Sequence, residues 1–218
     1  MGRRALRKID SALDLSRWFL ALDDLAQPWD DRQVFGRTAP LEIDVGSGKG
    51  LFLASASRLR PESNFLGIEI AARYARHAAA RLAKQQIENA RVLHGDAMRF
   101  FREHLPSGSV AAVHVYFPDP WWKARHKKRR VMNRSFVAEV RRVLAAGGTL
   151  HFWTDVEEYF RATLELIAEF TSLSGPLPVA ELAAEHDLDY RTHFERRMRL
   201  GGLPVYRAEF RKPGDGGQ

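Results

Sequence analysis

The chain contains no cysteine. That absence excludes disulfides, thiolate zinc sites, iron–sulfur clusters and thiol nucleophiles together. The eight histidines show no H-E-x-x-H or similar ligand spacing, so no metal centre is expected. Long apolar runs are also missing. The longest are strand-sized, far short of the roughly 20 residues a membrane-spanning helix needs. The N-terminal Met1-Gly2-Arg3-Arg4-Ala5-Leu6 has no apolar stretch behind its arginines, and Leu6 stands where a myristoylation signal has Ser or Thr. Neither membrane attachment nor export is expected, and the cytoplasm is the expected compartment. No repeat, low-complexity tract or linker divides the chain.

What is present fits one domain. With 218 residues, 45% of them hydrophobic, the chain can bury a single substantial core. A formal net charge of +7 and a pI near 10.0 point to a polyanionic partner.

Hydrophobic period gives alternating strands and helices. Strands are expected over residues 41–45, 64–70, 92–94, 110–117 and 149–153, with helices over 49–59, 71–86, 97–104, 133–144 and 155–170. Gly147 and Gly148 read as a helix stop. This order calls for a mostly parallel sheet with helices on both faces. Residues 9–25 read as an amphipathic helix whose Leu13, Trp18, Phe19 and Leu22 pack on the core, in preference to a dimer contact. Residues 174–189 read as a loop with a short helix, 204–211 as a final edge strand and 213–218 as a disordered tail.

Four signals then recur at strand ends: Glu42-Ile43-Asp44-Val45-Gly46-Ser47-Gly48-Lys49-Gly50, Gly67-Ile68-Glu69, Gly95-Asp96-Ala97 and Phe117-Pro118-Asp119-Pro120. Ligands of open α/β sheets bind at such ends. Gly46, Gly48 and Gly50 allow close backbone approach. A dinucleotide fingerprint would require a small residue at Leu51, and carboxylates beside the turn suit a cationic ligand better than a pyrophosphate. S-adenosylmethionine has that character. Glu69 is positioned for ribose hydroxyls and Asp96 for an adenine amino group, although a helix N-cap is the plainer reading of Asp96. The two prolines flanking Asp119 restrict its backbone. Trp121 and Trp122 offer faces on which an extruded base can stack, or else serve as core. Lys123-Ala124-Arg125-His126-Lys127-Lys128-Arg129-Arg130 adds six fixed positive charges in eight residues. Self-repulsion should keep that run mobile unless an anion, naturally phosphate, neutralises it.

With these residues in view, the sequence resembles the bacterial-type tRNA (guanine-N7-)-methyltransferases over residues 40–211. The stretch from Phe117 through Arg130 is the most specific piece, supported by Thr154-Asp155 and Thr192-His193-Phe194-Glu195. Trp122, where many members have a small residue, proline or histidine, and the first forty residues depart from the family pattern. The resemblance implies a Rossmann-like class I methyltransferase fold. Its mostly parallel seven-stranded sheet, with an antiparallel edge strand, would fill residues 41–212 behind an N-terminal extension over 1–40. It implies S-adenosylmethionine contacts at Glu42, Gly46, Gly48, Gly50, Glu69, Asp96 and Asp119, with Asp119 catalytic. Guanosine contacts would come from Lys123, Asp155, Thr192, His193, Phe194 and Glu195. RNA contacts would come from Arg125, His126, Lys127, Lys128, Arg129 and Arg130. The implied activity is methylation of N7 of the variable-loop guanine, tRNA position 46, by a monomer or homodimer without an obligate partner. An amino-group methyltransferase and a non-catalytic RNA-binding protein on the same scaffold remain the alternatives.

Overall fold

The computed structural model describes residues 8–179 and 190–214. Strand β1 (Phe19–Ala21) and the short helix α1 (Asp31–Phe35) come first, followed by β2 (Leu41–Val45), α2 (Leu51–Leu59), β3 (Asn64–Glu69) and α3 (Ala72–Lys84). Next are β4 (Ala90–His94), α4 (Ala97–Glu103), β5 (Val110–Tyr116), α5 (Arg134–Val143) and β6 (Leu144–Thr154). The chain closes with α6 (Glu157–Phe170), β7 (Ser174–Leu177), α7 (His193–Leu200) and β8 (Tyr206–Arg211). Among the described residues the sheet has eight strands in the order β1-β4-β3-β2-β5-β6-β8-β7. β8 runs antiparallel to both of its neighbours, and the remaining pairings are parallel. Strand order reverses between β2 and β5, which creates the crevice where such sheets bind ligands.

The two faces of the sheet differ in chemistry. Period-two alternation sends Ile43, Val113, Leu150 and Phe152, all fully buried, to one side, against Phe100, Phe136 and Val140 from α4 and α5. The other side receives Glu42, Asp44, His114, Tyr116 and His151, all but His151 below a tenth exposed, with Phe52 of α2 against His114 and Tyr116. Polar side chains at these depths need partners; Glu42, His114 and Tyr116 belong to a connected chain described below, and His151 pairs with Glu209 at 2.9 Å.

The structure corrects several expectations. Residues 9–25 contain no α-helix. Asp10 and Asp14 instead accept from the backbone N–H groups of Ala12 and Ser16 at 3.0 and 2.8 Å, local bonds that compete with helical ones. The apolar residues that follow form β1 on the edge of β4, with the Trp18 indole donating to the Ile87 carbonyl at 2.7 Å. Leu22 joins the main core, and Trp18 and Phe19 pack against the second cluster, so these three pack inward as expected although not as a helix; Leu13 joins neither cluster. Residues 174–177 form the outer strand β7, which moves β8 from the edge into the sheet; the short helix expected further on lies in residues 180–189, outside the described residues. β6 begins directly behind α5 and runs through Gly147 and Gly148. A Cβ on Gly148 would lie about 3 Å from the carbonyl oxygens of Ala145, Ala111 and Val110, so that glycine permits close strand approach where a helix stop was expected. Among the described residues, seven of the eight strands, β2 to β8, lie within residues 41–212 as expected, and the eighth, β1, comes from the N-terminal extension. The tail expected to be disordered has no regular structure at residues 213–214 and otherwise lies outside the described residues.

Candidate active site

A cavity of about 570 Å³ opens over the carboxyl ends of β2, β3, β4 and β5. Its wall includes Gly46, Glu69, Asp96 and Asp119 together with apolar Ile68, Ala97, Met98 and Phe136. Four of the residues expected to touch a cofactor thus meet in one place from four separate strand ends.

The glycine turn is left-handed throughout, with φ of 81°, 54° and 67° at Gly46, Gly48 and Gly50, a conformation that glycine adopts without penalty. Space beside Gly46 is open, whereas a Cβ on Gly50 would lie 2.8 Å from the Ala78 Cβ. Gly50 therefore serves the packing of α2 on α3 and does not line the cavity. Glu69 holds the turn in place: its two carboxylate oxygens accept from the N–H groups of Gly48 and Ala71, both at 2.9 Å. A carboxylate has about four lone-pair positions, so acceptor capacity remains toward the cavity. Asp96 caps α4, accepting from the Arg99 N–H at 2.8 Å, and it lines the cavity as well. The N-cap reading of that residue therefore holds.

Glu42 is placed differently. It is 7% exposed and outside the cavity wall, where it accepts from His114 Nε2 at 2.8 Å and pairs with Arg60 at 3.0 Å. His114 Nδ1 lies 2.9 Å from the Tyr116 hydroxyl, to which Arg191 donates at 2.8 Å. Burial holds the His114 imidazole neutral, well below its usual range, so its contact with Glu42 is a hydrogen bond and not an ion pair. With Glu42 ionised against Arg60, Nε2–H donates to it, which leaves Nδ1 to accept from the Tyr116 hydroxyl, itself the acceptor of Arg191. Asp44 occupies the position two residues nearer the glycine turn on the same face. Burial first, then the Glu69 charge, pushes its carboxyl up to about 8. A strongly perturbed acid near a ligand-sized cavity is a functional-site candidate; Asp44 directly precedes Val45 and Gly46 of the wall but, like Glu42, does not itself line it.

The loop after β5 carries Asp119, which is solvent-exposed at the cavity rim. The basic run behind it is ordered as two 3-10 turns, residues Ala124–Arg129. Arg130 is 7% exposed, donates to the Pro120 carbonyl at 2.8 Å and lies over the Tyr159 ring at 4.5 Å. It supports the Asp119 loop and, although mostly buried, lines the cavity beside Lys128 and Arg129. Lys127 is held by Glu158 at 2.7 Å, so a carboxylate supplies part of the neutralisation expected from phosphate. Arg125, Lys128 and Arg129 are exposed, and the latter two line the cavity mouth. His126 is half-buried, edge-on to Trp121.

The second candidate group is brought alongside the first. Thr192 caps α7 by accepting from the Glu195 N–H at 2.9 Å. His193 meets Arg81, which also donates to the Lys49 carbonyl of the glycine turn at 2.9 Å. The Phe194 ring lies 5.1 Å from Phe117. Asp155 follows β6, whose Trp153 carbonyl accepts from the Phe117 N–H at 2.8 Å. Lys123 is exposed at the start of the basic turns. Glu195, at 3% exposure, accepts from the Arg191 N–H at 2.7 Å and lies 3.4 and 3.5 Å from Arg199 and Arg207. Its carboxylate organises this segment and is not presented to a base. Among the described residues, no group of His, Asp and Glu is arranged to hold a metal ion, and no helix is long and apolar enough to cross a membrane.

Comparison with known proteins bears on this geometry. A family model described as "Putative methyltransferase" matches residues 38–208. A tRNA (guanine-N(7)-)-methyltransferase of Rhodopirellula baltica is 52% identical over 97% of this chain and 80% of its own length. One from Geobacter metallireducens is 33% identical over 92% and 95%. Among solved structures, an antibiotic-related methyltransferase shares 16% identity at a TM-score of 0.59 over 82% of this chain and 91% of its own. An aminoglycoside resistance methyltransferase shares 18% at 0.53 over 88% and 98%. These last two speak to the fold alone, a Rossmann-like methyltransferase sheet. With a carboxylate-rimmed cavity at the switch point, and with sequence identity across nearly the whole chain, this protein belongs to the tRNA (guanine-N(7)-)-methyltransferase family.

Proposed function

We propose that the chain transfers a methyl group from S-adenosylmethionine to N7 of the variable-loop guanine of tRNA, in the cytoplasm, as a monomer or homodimer. Family membership supports the activity and the donor; the loop position, compartment and residue roles are our reading. The observation that carries the roles is the convergence of Gly46, Glu69, Asp96 and Asp119 on a cavity whose mouth holds Lys128 and Arg129.

The residues suit such a donor. A cavity of about 570 Å³ matches a nucleoside-sized ligand. Open space at Gly46 admits backbone approach, Glu69 retains acceptor capacity for ribose hydroxyls, and Asp96 has one oxygen not used in capping. Asp44 supplies a buried carboxyl that a cationic ammonium would draw into its ionised form. When bound, the donor provides an activated methyl group on a positively charged sulfur.

Guanine N7 already has an in-plane lone pair, so Asp119 has no proton to remove. Its exposed carboxylate holds the base in line and stabilises positive charge as that charge moves onto the purine. Asp155 accepts from the guanine N1–H and amino group, an acceptor pattern that adenine does not match. Thr192, His193 and Phe194 shape the base-side wall, and Lys123, Arg125, Lys128 and Arg129 meet phosphates. The test is incubation with unmodified tRNA and labelled donor, followed by chain scission at N7-methylguanosine. One cut in the variable loop, lost when that guanine is replaced, is expected. Scission elsewhere, or label recovered as N6-methyladenosine, contradicts the proposal.

A further inference from the structure

Trp121 and Trp122 are adjacent in sequence but occupy opposite environments. Trp121 lines the cavity, with the Arg129 guanidinium 5.1 Å above its ring and His126 edge-on at 5.9 Å. Trp122 is 66% exposed, and among the described residues it takes part in no ring pair, cation contact or side-chain hydrogen bond. The backbone explains the split. Trp121 sits at a φ of 46°, a left-handed conformation that costs a bulky residue free energy and persists only where surrounding contacts enforce it. Arg130, buried and bonded to the Pro120 carbonyl, anchors the residue before the kink, and Arg129 and His126 hold the ring after it. The reversal sends the next indole outward.

A singly exposed apolar side chain is not unusual in itself; here the frame around the ring is cationic. No acidic residue occurs between Asp119 and Glu139. Glu158 pairs with Lys127 and Arg130, while Lys123, Arg125, Lys128 and Arg129 are exposed nearby in sequence. A second copy would bring the same positive frame to face this one, which like-charge repulsion opposes. A flat aromatic face within a positively charged track is how proteins hold an unpaired nucleotide strand.

We infer that Trp122 is a stacking subsite for one unpaired nucleobase flanking the target guanine, so that the two indoles divide the work, Trp121 at the reacting base and Trp122 at its neighbour. Stacking accepts any base, so the subsite strengthens tRNA binding with little sequence preference. The inference rests on the proposed tRNA reading. A wild-type protein that methylates no tRNA guanine refutes that reading first, whereas the inference is judged on ratios between variants of the active enzyme.

The test compares Trp122→Ala, Trp122→Leu and Trp122→Phe with wild type in steady-state methylation of unmodified tRNA, with donor affinity measured separately by calorimetry. Loss of one base stack corresponds to about a tenfold rise in KM for tRNA. That rise is expected in the Ala and Leu variants, with kcat falling less than KM rises and donor affinity held within about twofold. Phe, which keeps a stacking face, should bring KM back to within about threefold of wild type. Unchanged KM in the Ala variant overturns the inference. Equal rescue by Leu and Phe also overturns it, since simple apolar contact would then suffice. So does loss of concentration-dependent self-association in the Ala variant with tRNA kinetics intact, which would assign the indole to a contact between copies.

Discussion

Asp44 and Asp119 have the same functional group in opposite settings, and their substitutions should separate binding from turnover. Asp119 is exposed at the rim, so Asp119→Ala should lower kcat by about a hundredfold or more while leaving donor affinity within a few-fold; an equal loss of both would undo its assignment. Asp44 is buried with its carboxyl near pH 8, above the ordinary 3.8. The folded chain therefore keeps a proton that the unfolded chain releases, and this contribution to stability is lost as pH rises from about 4 to about 8. His114 acts in the other direction: held neutral by burial, it contributes stability above pH 6.5 that is lost as pH falls below that value. Asp44→Asn should raise the Tm of the ligand-free protein at pH 8 by a few degrees, about what 1 kcal/mol brings in a chain of this size, yet weaken donor binding. In wild type, donor affinity should strengthen from pH 6 to 8 with proton release, measured by calorimetry in buffers of different ionisation enthalpy; flat affinity would contradict it. Asp119 and Glu69 are legible in the sequence because each follows an apolar run, the first closed by Pro118 and the second containing Gly67. Strand direction alone places Asp44 nearer the ligand end than Glu42, since ligands sit at carboxyl ends. The Glu42–His114–Tyr116–Arg191 chain has no local signal, because its outer bonds join residues 72 and 75 positions apart.

Among the elements, the N-terminal extension departs furthest from its expected form. Apolar spacing over residues 9–25 suggests a helix, but Asp10 and Asp14 close local turns, and β1 then covers the edge of β4 that would otherwise expose unpaired backbone groups. Such competition depends on a partner strand some 70 residues away, so period alone cannot reveal it. The extension also supports the cavity floor: a Cβ on Gly95 would lie 2.6 Å from the Cβ of Leu22. Gly95→Ala should therefore destabilise the fold by about 1–3 kcal/mol and weaken donor binding through the neighbouring Asp96. Leu22→Gly in the same chain, which removes the Cβ that clashes, should return part of that loss. The coupling can be read from a double-mutant cycle of denaturant midpoints, and strict additivity would show that the contact does not matter. The central β2 to β6 succession is legible because each strand is an apolar run behind a helix with its own stop, whereas β7, with the sequence Ser-Gly-Pro-Leu, has no strand signal.

For the whole molecule, the charge distribution should govern encounter with substrate. Exposed Lys128 and Arg129 at the cavity mouth, with exposed Arg125 in the same basic run, imply that tRNA affinity falls steeply with salt. Each neutralised contact adds roughly 0.7 to 0.9 to the logarithmic slope, so replacing all three with glutamine should flatten it by about two units. Arg130→Gln should instead lower stability, since that side chain braces the Asp119 loop. The most direct test of the central claim is a crystal structure grown with S-adenosylhomocysteine, the product left after methyl transfer. The account predicts the ligand over the carboxyl ends of β2 to β5, with Asp44 and Gly46 at one end, Glu69 at the ribose, Asp96 at the adenine and Asp119 beside the sulfur. A ligand bound elsewhere, or saturating ligand with that cavity empty, would contradict it.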